Sequence, residues 1–157
     1  MSRPSGFLRA AFNSPRWFYR HGFGWMLGRR AMALTHRGRK SGKLHETILE
    51  VVYFDKETQE SLVGSAYGTN ADWYRNIQVE PALRVRTGRH DYVPEQRFLT
   101  PEEGLEVARR FCNEHPLEAR LVNKVLPAIG SIVPKDADAD PADLLAMLPM
   151  VGFRPES

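Results

Sequence analysis

The sequence is nearly free of cysteine, and this absence excludes several classes of protein. Cys112 is the one cysteine among 157 residues, so neither an internal disulfide framework nor a multi-cysteine metal site can form. His36, His45, His90 and His115 show no ligand spacing, so the sequence predicts no metal site. Cys112 lies in a predicted helix, and we expect a buried, inert thiol there.

Long apolar runs are also lacking. None approaches the ~20 residues that span a bilayer, and the start, residues 1–6, lacks the apolar core and the cleavage site of a signal peptide. We therefore expect a cytoplasmic protein. A chain of 157 residues that is 42% hydrophobic and 26% charged predicts one soluble domain over residues 1–157. Residues 1–30 form its predicted basic, aromatic, helical extension.

Acidic residues are absent from the first 45 positions. This stretch holds ten Lys/Arg, whereas the remainder holds twelve Lys/Arg against nineteen acids. The net charge of the whole chain is only +3, so the asymmetry is more informative than the total. It predicts that the N-terminal part faces an anionic partner.

Residues 3–30 combine cations with seven of the sixteen aromatic residues. Pro15 and the glycines Gly22, Gly24 and Gly28 divide the segment, which predicts one or two short helices. Two interpretations stay open: a helix lying on an anionic membrane surface, and a helix whose aromatic side chains pack on the domain. We favour the second, because proline and glycine interrupt any long apolar face.

Strand and helix signals follow one another without a βαβ rhythm. Strands are predicted at residues 31–37, 44–54, 62–67, 83–86, 92–99 and 148–153. Helices are predicted at 70–77, from 101 until Pro116, at 117–125 and at 142–147. Consecutive strands joined by tight turns predict an antiparallel sheet or barrel, mainly β with peripheral helices (α+β), rather than a Rossmann fold.

Three local signals set the bounds of these elements. Thr69 or Asn70 is the predicted N-cap of the first helix, and Thr100 followed by Pro101 is a strong start for the second. Pro94 predicts that part of its strand lies at a sheet edge or forms a bulge, since proline lacks the N–H that the hydrogen-bond ladder of a sheet needs.

The most informative stretch is Thr35–Lys43. It holds two glycines, a serine and five basic side chains, four of them Lys or Arg and the fifth His36, between two apolar runs. Glycines let backbone N–H groups approach a ligand, while Arg and Lys supply charge. The stretch is not a Walker A loop, because its spacing differs and a strand follows it. We predict a hairpin tip that binds a phosphorylated or polycarboxylate ligand.

Motifs for nucleophilic or metal catalysis are missing: the chain has no G-x-S-x-G, no H-E-x-x-H and no convincing pair of nucleophile and base. This favours chemistry that belongs to a bound cofactor. Residues 65–68 at a strand end, with Trp73 and Tyr74 on the next helix, suit contact with a planar ring. The alternative is that Trp73 fills the core and Ser65 is a satisfied strand-end hydroxyl.

Together these features resemble the deazaflavin-dependent nitroreductase family, whose members are split β-barrel flavin/deazaflavin oxidoreductases. The resemblance rests on Gly38–Gly42 between two apolar strands, on Val63–Ser65, on Asp72–Asn76 and Pro81, and on a second patch at Leu148–Pro155. It implies a split β-barrel of five to seven mostly antiparallel strands.

The resemblance also implies a coenzyme, reduced 8-hydroxy-5-deazaflavin (coenzyme F-420), with FMN as the less favoured choice. Its phosphate and polyglutamate tail is then expected on the hairpin, and its ring on the neighbouring strands and helix. The implied tail positions are Arg39, Lys40, Ser41 and Gly42, with His45 where the family usually has an arginine. The implied positions along the ring are Thr47, Ile48, Leu49, Ser65 and Ala66. The implied positions that support the phosphate and ribityl region from the helix are Asp72, Trp73, Tyr74, Arg75 and Asn76.

The implied activity is that of an oxidoreductase. Hydride passes from the reduced deazaflavin to an electron-poor small molecule (a quinone, an enone or a nitro compound), and a proton follows from solvent or from the hydroxyl of Tyr67, Tyr74 or Ser65. Tyr67 is the best placed of these, because it follows the implied ring-contacting strand. The expected partner is the small-molecule acceptor and not a nucleic acid, in a monomeric or homodimeric protein. Peripheral membrane contact through residues 1–30 stays open as the alternative to packing of that segment on the domain.

Two other classes of function stay open. The same barrel could sequester a flavin, haem or lipid without catalysis, which allows binding but no acceptor-dependent oxidation of the coenzyme. A nucleic-acid or membrane-surface module built on the basic N-terminal segment predicts binding that collapses steeply with salt.

Overall fold

The computed structural model describes residues 30–128, 131–134 and 139–156. Seven strands form one sheet: β1 (Ala31–Arg37), β2 (Leu44–Asp55), β3 (Glu60–Gly64), β4 (Arg84–Thr87), β5 (His90–Tyr92), β6 (Pro94–Phe98) and β7 (Met150–Pro155). The order across the sheet is β5-β4-β1-β2-β3-β7-β6, and every neighbouring pair is antiparallel.

The two outermost strands are consecutive in the chain, and this curls the sheet into a barrel. β5 ends at Tyr92 and β6 begins at Pro94, so Val93 alone joins the two edges. Since Cα atoms two residues apart are separated by at most about 7 Å, the two ends of the sheet must lie side by side. The prediction of a mainly β, antiparallel split barrel with peripheral helices is confirmed.

β2 is long enough to serve both halves of the barrel. It pairs with β1 from Leu44 to Glu50, and with β3 from Val51 onward. An irregularity in register between Val51 and Tyr53 marks a bulge, which bends the strand between the two halves. The β1–β2 tip therefore lies at the opposite end of β2 from the β2–β3 turn.

Helices occupy the longer connections. A 3₁₀ turn (Gly68–Asn70) precedes α1 (Asp72–Val79), and α2 (Pro101–Glu114), α3 (Pro116–Ala119), α4 (Val122–Ala128) and α5 (Pro141–Leu145) lie between β6 and β7. α2 starts with a capping box: the N–H of Glu103 donates to the Thr100 hydroxyl at 3.2 Å, and the Glu103 carboxylate accepts from the N–H of Thr100 at 3.0 Å. The predicted start at Thr100 is confirmed.

Two apolar clusters hold the fold together. The first fills the barrel with side chains of β1, β2, β3, β4 and β7 together with α1. The second packs α2, α4 and α5 against β3 and β7 on the outside of the barrel. Cys112 packs against this second cluster, and burial raises the pKa of its thiol. α1 thus belongs to the barrel interior, while the later helices cover its outer surface.

An ion pair crosses the sheet at β7. The Arg97 guanidinium on β6 donates two hydrogen bonds of 2.8 Å to the two oxygens of Glu60 on β3, and a third of 2.6 Å to Glu103. Gly152 lies between them on β7, where a Cβ would sit 2.4 Å from a Glu60 oxygen. We call Glu60, Arg97 and Gly152 the β3–β6 clamp; it needs a residue without a side chain at its centre.

Two predicted strands differ from the structure for identifiable reasons. The strand predicted at residues 92–99 is two strands: Tyr92 pairs with Val85 of β4 and Pro94 with Pro155 of β7, on opposite edges. The strand predicted at 62–67 ends at Gly64, because the Ser65 hydroxyl and carbonyl both bond to Gly68 and turn the chain.

The predicted helices also shift. α1 begins at Asp72 with Ala71 as its N-cap and with no side-chain cap, so the predicted caps at Thr69 and Asn70 are wrong; those residues belong to the 3₁₀ turn. The helix predicted at 117–125 is divided into α3 and α4.

The predicted helices of residues 3–30 lie, apart from Arg30, outside the described residues. Across the described ranges, no helix is long and apolar enough to cross a membrane. The same ranges contain no group of three or more His, Cys, Asp or Glu side chains arranged to hold a metal ion.

Candidate functional site

The β1–β2 hairpin tip is a compact loop closed by its own backbone. The N–H of Gly38 donates to the carbonyl of Lys43 at 2.7 Å, and the N–H of Gly42 donates to the carbonyl of Gly38 at 2.9 Å. Gly42 has φ +72°, a conformation that side chains rarely adopt. A Cβ at Gly38 would lie 2.7 Å from Ser41 Oγ and 3.0 Å from His45 Nε2. Both glycines are therefore needed for this shape.

A groove of about 400 Å³ separates the tip from the C-terminal end of α1. We call it the tip groove; it is lined by Arg37, Gly38, Arg39, Lys40, Ser41, Gly42, Val79 and Glu80. Arg37 is engaged within it, since its guanidinium donates to Glu80 and to the carbonyl of Gly42, both at 3.0 Å. Its lining therefore holds three cations against one carboxylate.

Arg39 is bonded to α1 through both its side chain and its backbone. Its guanidinium donates to Asn76 Oδ1 at 2.8 Å and to Asp72 Oδ1 at 3.2 Å, and its backbone N–H donates to the same Asn76 oxygen at 3.1 Å. The Arg39 side chain is only 16% exposed, whereas that of Asp72 is 85% exposed. The helix thus fixes the direction of the guanidinium, and the solvated Asp72 offsets its charge only in part.

Lys40 and Lys43 supply the charge that is not compensated. Both are exposed, and within the described ranges neither makes an ion pair. Ser41 is exposed as well, and its Oγ accepts a hydrogen bond from the N–H of Lys43 at 3.2 Å. Its hydroxyl hydrogen is therefore available to a ligand. One fixed guanidinium beside two mobile ammonium groups suits a polyanion.

His36 lies directly beneath the tip, inside the barrel. It is 3% exposed, and its ring stacks on that of His45 with centroids 5.7 Å apart. Nε2 lies 2.9 Å from Thr47 Oγ1, and Nδ1 lies 3.0 Å from Asn76 Nδ2. Burial, followed by the nearby His45, lowers the pKa of His36, while Asp72 acts in the opposite direction. The ring is therefore neutral at pH 7.

The sequence shows no metal-ligand spacing at His36, and the link of this residue to Asn76 was missed. Alternation along β1 places His36 on the same face as Met32 and Leu34, which pointed to burial. No pattern in the sequence pairs it with α1, because the two residues are 40 positions apart.

The residues predicted around a ring divide between the two faces of β2. Thr47 lies opposite Leu34 and Leu49 opposite Met32, on the face that points into the barrel. Ile48 lies on the other face, opposite Ala33, and packs with it. Any contact of all three positions with one ligand must therefore involve the backbone.

Ser65, Ala66 and Tyr67 leave β3 in a turn. Ser65 is fully buried, and its hydroxyl donates to the carbonyl of Gly68 at 2.6 Å. The carbonyl of Ala66 accepts the N–H of Ile132 at 2.9 Å. Tyr67, in contrast, is 56% exposed. Of these three, Tyr67 is the one whose side chain reaches solvent.

α1 carries the other predicted site residues on different faces. Trp73 and Tyr74 belong to the barrel core, each 8% exposed, with their rings edge to face 5.7 Å apart. Burial raises the pKa of the Tyr74 hydroxyl. Arg75 is exposed, while Asn76 is 4% exposed and points at the tip. The core-filler interpretation of Trp73 agrees with this placement.

Comparison with known families identifies the chain. The family model of the F420H(2)-dependent quinone reductases matches residues 14–116, which include β1 to β6, α1, α2 and the whole tip groove. The chain belongs to the F420H(2)-dependent quinone reductase family. The resemblance to deazaflavin-dependent reductases drawn from Gly38–Gly42 and Asp72–Asn76 is confirmed.

Solved structures agree on the fold of this quinone reductase family member. An F420-H2 dependent reductase (FDR-A) is 18% identical with TM-score 0.51, covering 81% of this chain and 96% of its own. A structure described as a domain-swapped dimer is 17% identical with TM-score 0.51, covering 89% and 99%. A pyridoxamine 5'-phosphate oxidase-related, FMN binding protein from Nostoc punctiforme is 13% identical with TM-score 0.51, covering 99% and 81%. No curated protein matches.

Family membership makes the protein an oxidoreductase whose coenzyme is a reduced deazaflavin. The residues present fit such a group. A polyanionic tail is bound well by a cation of fixed direction beside a cation that is accessible. In the tip groove, Asn76 fixes Arg39, and Lys40 is exposed. Glycines at positions 38 and 42 keep the backbone of the tip free of side chains.

Proposed function

We propose that this quinone reductase family member binds the anionic tail of its coenzyme in the tip groove and reduces a quinone at the mouth of the barrel. The observation that carries the proposal is the fixed guanidinium of Arg39, held by α1 beside the uncompensated Lys40. When bound, the reduced deazaflavin supplies the hydride. The chain supplies position, charge and protection from water.

The work is divided among the predicted residues. Arg39, Lys40, Ser41 and Gly42 hold the tail, and Asp72 and Asn76 hold Arg39 in place. The role of Thr47, Ile48 and Leu49 is to offer the β2 backbone to the ring, since their side chains point to both faces. Ser65 and Ala66 border the ring from the end of β3, where Ser65 fixes the turn, because its hydroxyl, N–H and carbonyl are all bonded within the protein.

His45, Trp73, Tyr74 and Arg75 have supporting roles. His45 is exposed at the base of the tip and stacks on His36, so it adds a cation toward the tail only when protonated. Trp73 and Tyr74 form the apolar floor beneath α1. Arg75, exposed on the same helix, extends the positive surface toward the groove.

Tyr67 is the proposed proton donor to the acceptor. Two-electron reduction of a quinone to a hydroquinone consumes one hydride and one proton; a nearby hydroxyl donates that proton and recovers it from solvent. Ser65 is buried with its hydroxyl donated, and Tyr74 is packed in the core with a raised pKa. Tyr67 combines exposure with a position directly after the ring-bordering segment.

Binding is tested by titrating the protein with the deazaflavin coenzyme and following the quenching of coenzyme fluorescence. The Arg39→Ala/Lys40→Ala variant is expected to weaken binding by about 100-fold, since it removes two charge-assisted contacts. The control is Lys56→Ala/Arg120→Ala, which removes the same charge from exposed positions outside the groove and should bind as the wild type does. Equal affinity of the two double variants contradicts the proposed tail site.

Turnover is tested with the reduced coenzyme and a soluble benzoquinone or naphthoquinone as acceptor. We expect acceptor-dependent oxidation of the coenzyme, and a kcat that falls about tenfold or more in Tyr67→Phe. Parallel titrations with FMN and haem separate the reductase from a non-catalytic flavin or haem binder. Binding of the coenzyme with no oxidation by any quinone, enone or nitro acceptor favours the binder.

Location and assembly are the remaining parts of the proposal. We infer a cytoplasmic monomer or homodimer. The alternative to packing of residues 1–30 on the domain is contact of this segment with an anionic membrane, where lipid-soluble quinones are found. The acid-free charge pattern of this segment supports it. Sedimentation with vesicles that contain anionic lipid, with and without residues 1–30, tests the membrane contact; light scattering tests the assembly.

A further inference from the structure

A short chain of buried hydrogen bonds links the barrel interior to the tip groove. It runs from Thr47 through His36 and Asn76 to Arg39. His36 and Asn76 are 3% and 4% exposed, so water does not replace their partners easily. Each group in this chain must therefore match the next one, donor to acceptor.

Asn76 decides the direction of the bonds. Its Oδ1 accepts both the backbone N–H and the guanidinium of Arg39, so its amide nitrogen must face His36. An amide nitrogen only donates, and His36 Nδ1 must accept. The ring proton is thereby placed on Nε2, which donates to Thr47 Oγ1 at 2.9 Å. The neutral Nε2–H form is the one that satisfies all partners.

A second proton on His36 breaks this match. Protonated His36 carries N–H groups on both ring nitrogens, and the one on Nδ1 then faces the donating amide nitrogen of Asn76. Relief requires the Asn76 amide to turn over, which directs its nitrogen at the N–H and the guanidinium of Arg39. Arg39 then loses both contacts with Asn76 and keeps only the exposed Asp72.

We propose that His36 is a positioning residue of the tip groove: in its neutral form it holds the Asn76 oxygen toward Arg39, and uptake of a proton releases Arg39. The inference rests on the proposed function, because the coenzyme tail is the anion whose binding Arg39 controls. His36 does not touch the coenzyme; it acts through Asn76.

The charged and titratable groups that face His36 define the pH dependence. From β2, His45 stacks on it, and from α1, Asp72 acts on it through space; Arg39 is the tip residue connected to it. Burial and His45 lower the pKa of His36 below the ordinary 6.5, against the effect of Asp72. Coenzyme affinity should be constant above this range and fall as the pH drops through it. His45 is the other imidazole beside the tail, so the test removes it.

The test therefore uses His45→Asn as the background and compares it with His36→Asn/His45→Asn. An asparagine at position 36 offers an acceptor oxygen near the place of Nδ1 but does not titrate. Fluorescence titrations with the deazaflavin coenzyme run from pH 8 to pH 4.5. We expect the affinity of His45→Asn to fall at least about fivefold toward acid, and that of the double variant to stay near its value at pH 8. Protonation of the coenzyme itself cancels in this comparison.

A coenzyme-free readout separates this inference from the proposed function. Nitrogen-15 NMR of the free wild-type protein should show His36 as the Nε2–H tautomer, titrating below 6.5. His90→Asn, an exposed residue on β5, should leave both the tautomer and the binding profile unchanged. The Nδ1–H tautomer, or identical pH profiles in the two variants, overturns the positioning role alone. If the wild-type protein binds no coenzyme at any pH, the proposed function fails and this inference fails with it.

Discussion

Arg39 and Arg97 are both buried in part and both bonded to two side chains, yet they have different surroundings. Arg97 in the β3–β6 clamp faces two carboxylates, one of which, Glu60, is only 7% exposed. Arg39 in the tip groove faces the neutral amide of Asn76 and the solvated carboxylate of Asp72. The clamp neutralises its arginine, whereas the tip fixes its arginine in direction and leaves most of its charge.

This difference separates a structural arginine from a binding one. A guanidinium between two carboxylates has its charge compensated and its donors occupied, so it has little to offer a ligand. A guanidinium that is bonded to a neutral amide keeps its positive charge uncompensated, so it still attracts an anionic ligand. The partners of an arginine therefore indicate its role better than its exposure does.

The largest expected effect comes from removing the clamp arginine. Arg97→Ala leaves the buried Glu60 carboxylate without its partner, which should lower the free energy of unfolding by about 2 to 3 kcal/mol; the half-exposed Arg97 keeps this at the low end for a buried pair. Urea denaturation measures it. Arg154→Ala, which breaks an exposed pair with Glu95, should cost less than about 0.5 kcal/mol. Equal losses in the two variants would mean that Glu60 is not dependent on Arg97.

The next largest effects are expected from alanine substitutions at Gly152 in the β3–β6 clamp and at Gly38 in the hairpin tip. Gly152→Ala places a Cβ against Glu60 and Leu62 and should destabilise the protein by about 2 kcal/mol without changing coenzyme affinity. Gly38→Ala meets Ser41 Oγ and the His45 ring, whose side chains can shift, so its cost in stability should be about 1 kcal/mol. Its coenzyme affinity should nevertheless fall, because the tip changes shape. Fluorescence titration gives the coenzyme affinity of each variant, and urea denaturation gives its free energy of unfolding. A larger loss of affinity in Gly152→Ala than in Gly38→Ala would contradict the assignment of binding to the tip.

Asn76→Asp gives Arg39 the surroundings of Arg97, with two carboxylates instead of one. The substitution gives Arg39 a second carboxylate at almost unchanged shape, so coenzyme affinity should fall about tenfold. The new carboxylate also favours protonated His36, which should raise the pKa of that ring relative to the wild type. Fluorescence titration and NMR measure the two effects. An unchanged affinity would contradict the idea that the neutral amide of Asn76 leaves the charge of Arg39 available to the coenzyme.

The smallest expected effect is on stability in acid. The pKa of His36 is lowered in the folded protein, so the unfolded chain binds more protons on this residue below its ordinary pKa of about 6.5. Stability contributed by neutral His36 is full above that pH and is lost progressively as the pH falls toward the folded value. Urea denaturation of wild type and His36→Asn between pH 8 and pH 5 should show a steeper decline in the wild type; parallel declines would assign the acid loss to other groups.

Local patterns predicted much of the fold. The β1–β2 hairpin, the polar turn after β2 and the capped start of α2 follow from alternation, turn residues and the Thr100-Pro101 signal, all of which act over a few residues. The division at Val93 was missed because it depends on which strands pair with β5 and β6, and those partners lie far away in the sequence.

The candidate site was predictable in part for the same reason. Glycines and cations of the tip are adjacent in sequence, so their role as an anion site could be inferred directly. The place of Asn76 near the tip came only through the family resemblance. The contact of His36 with the Asn76 amide depends on the packing of α1. The hydrogen bond from the Ser65 hydroxyl to Gly68 depends on a turn that no sequence pattern predicted.

The order of amino acids alone determined a cationic, glycine-containing hairpin tip on an antiparallel β domain, because hydrophobic alternation and turn chemistry are short-range properties. The tertiary structure decided which cation is fixed, which is free and which is neutralised. Asn76 and Asp72, which bind Arg39, and Glu60, which binds Arg97, lie 33 to 37 positions from these arginines, and only the closed barrel brings them within reach.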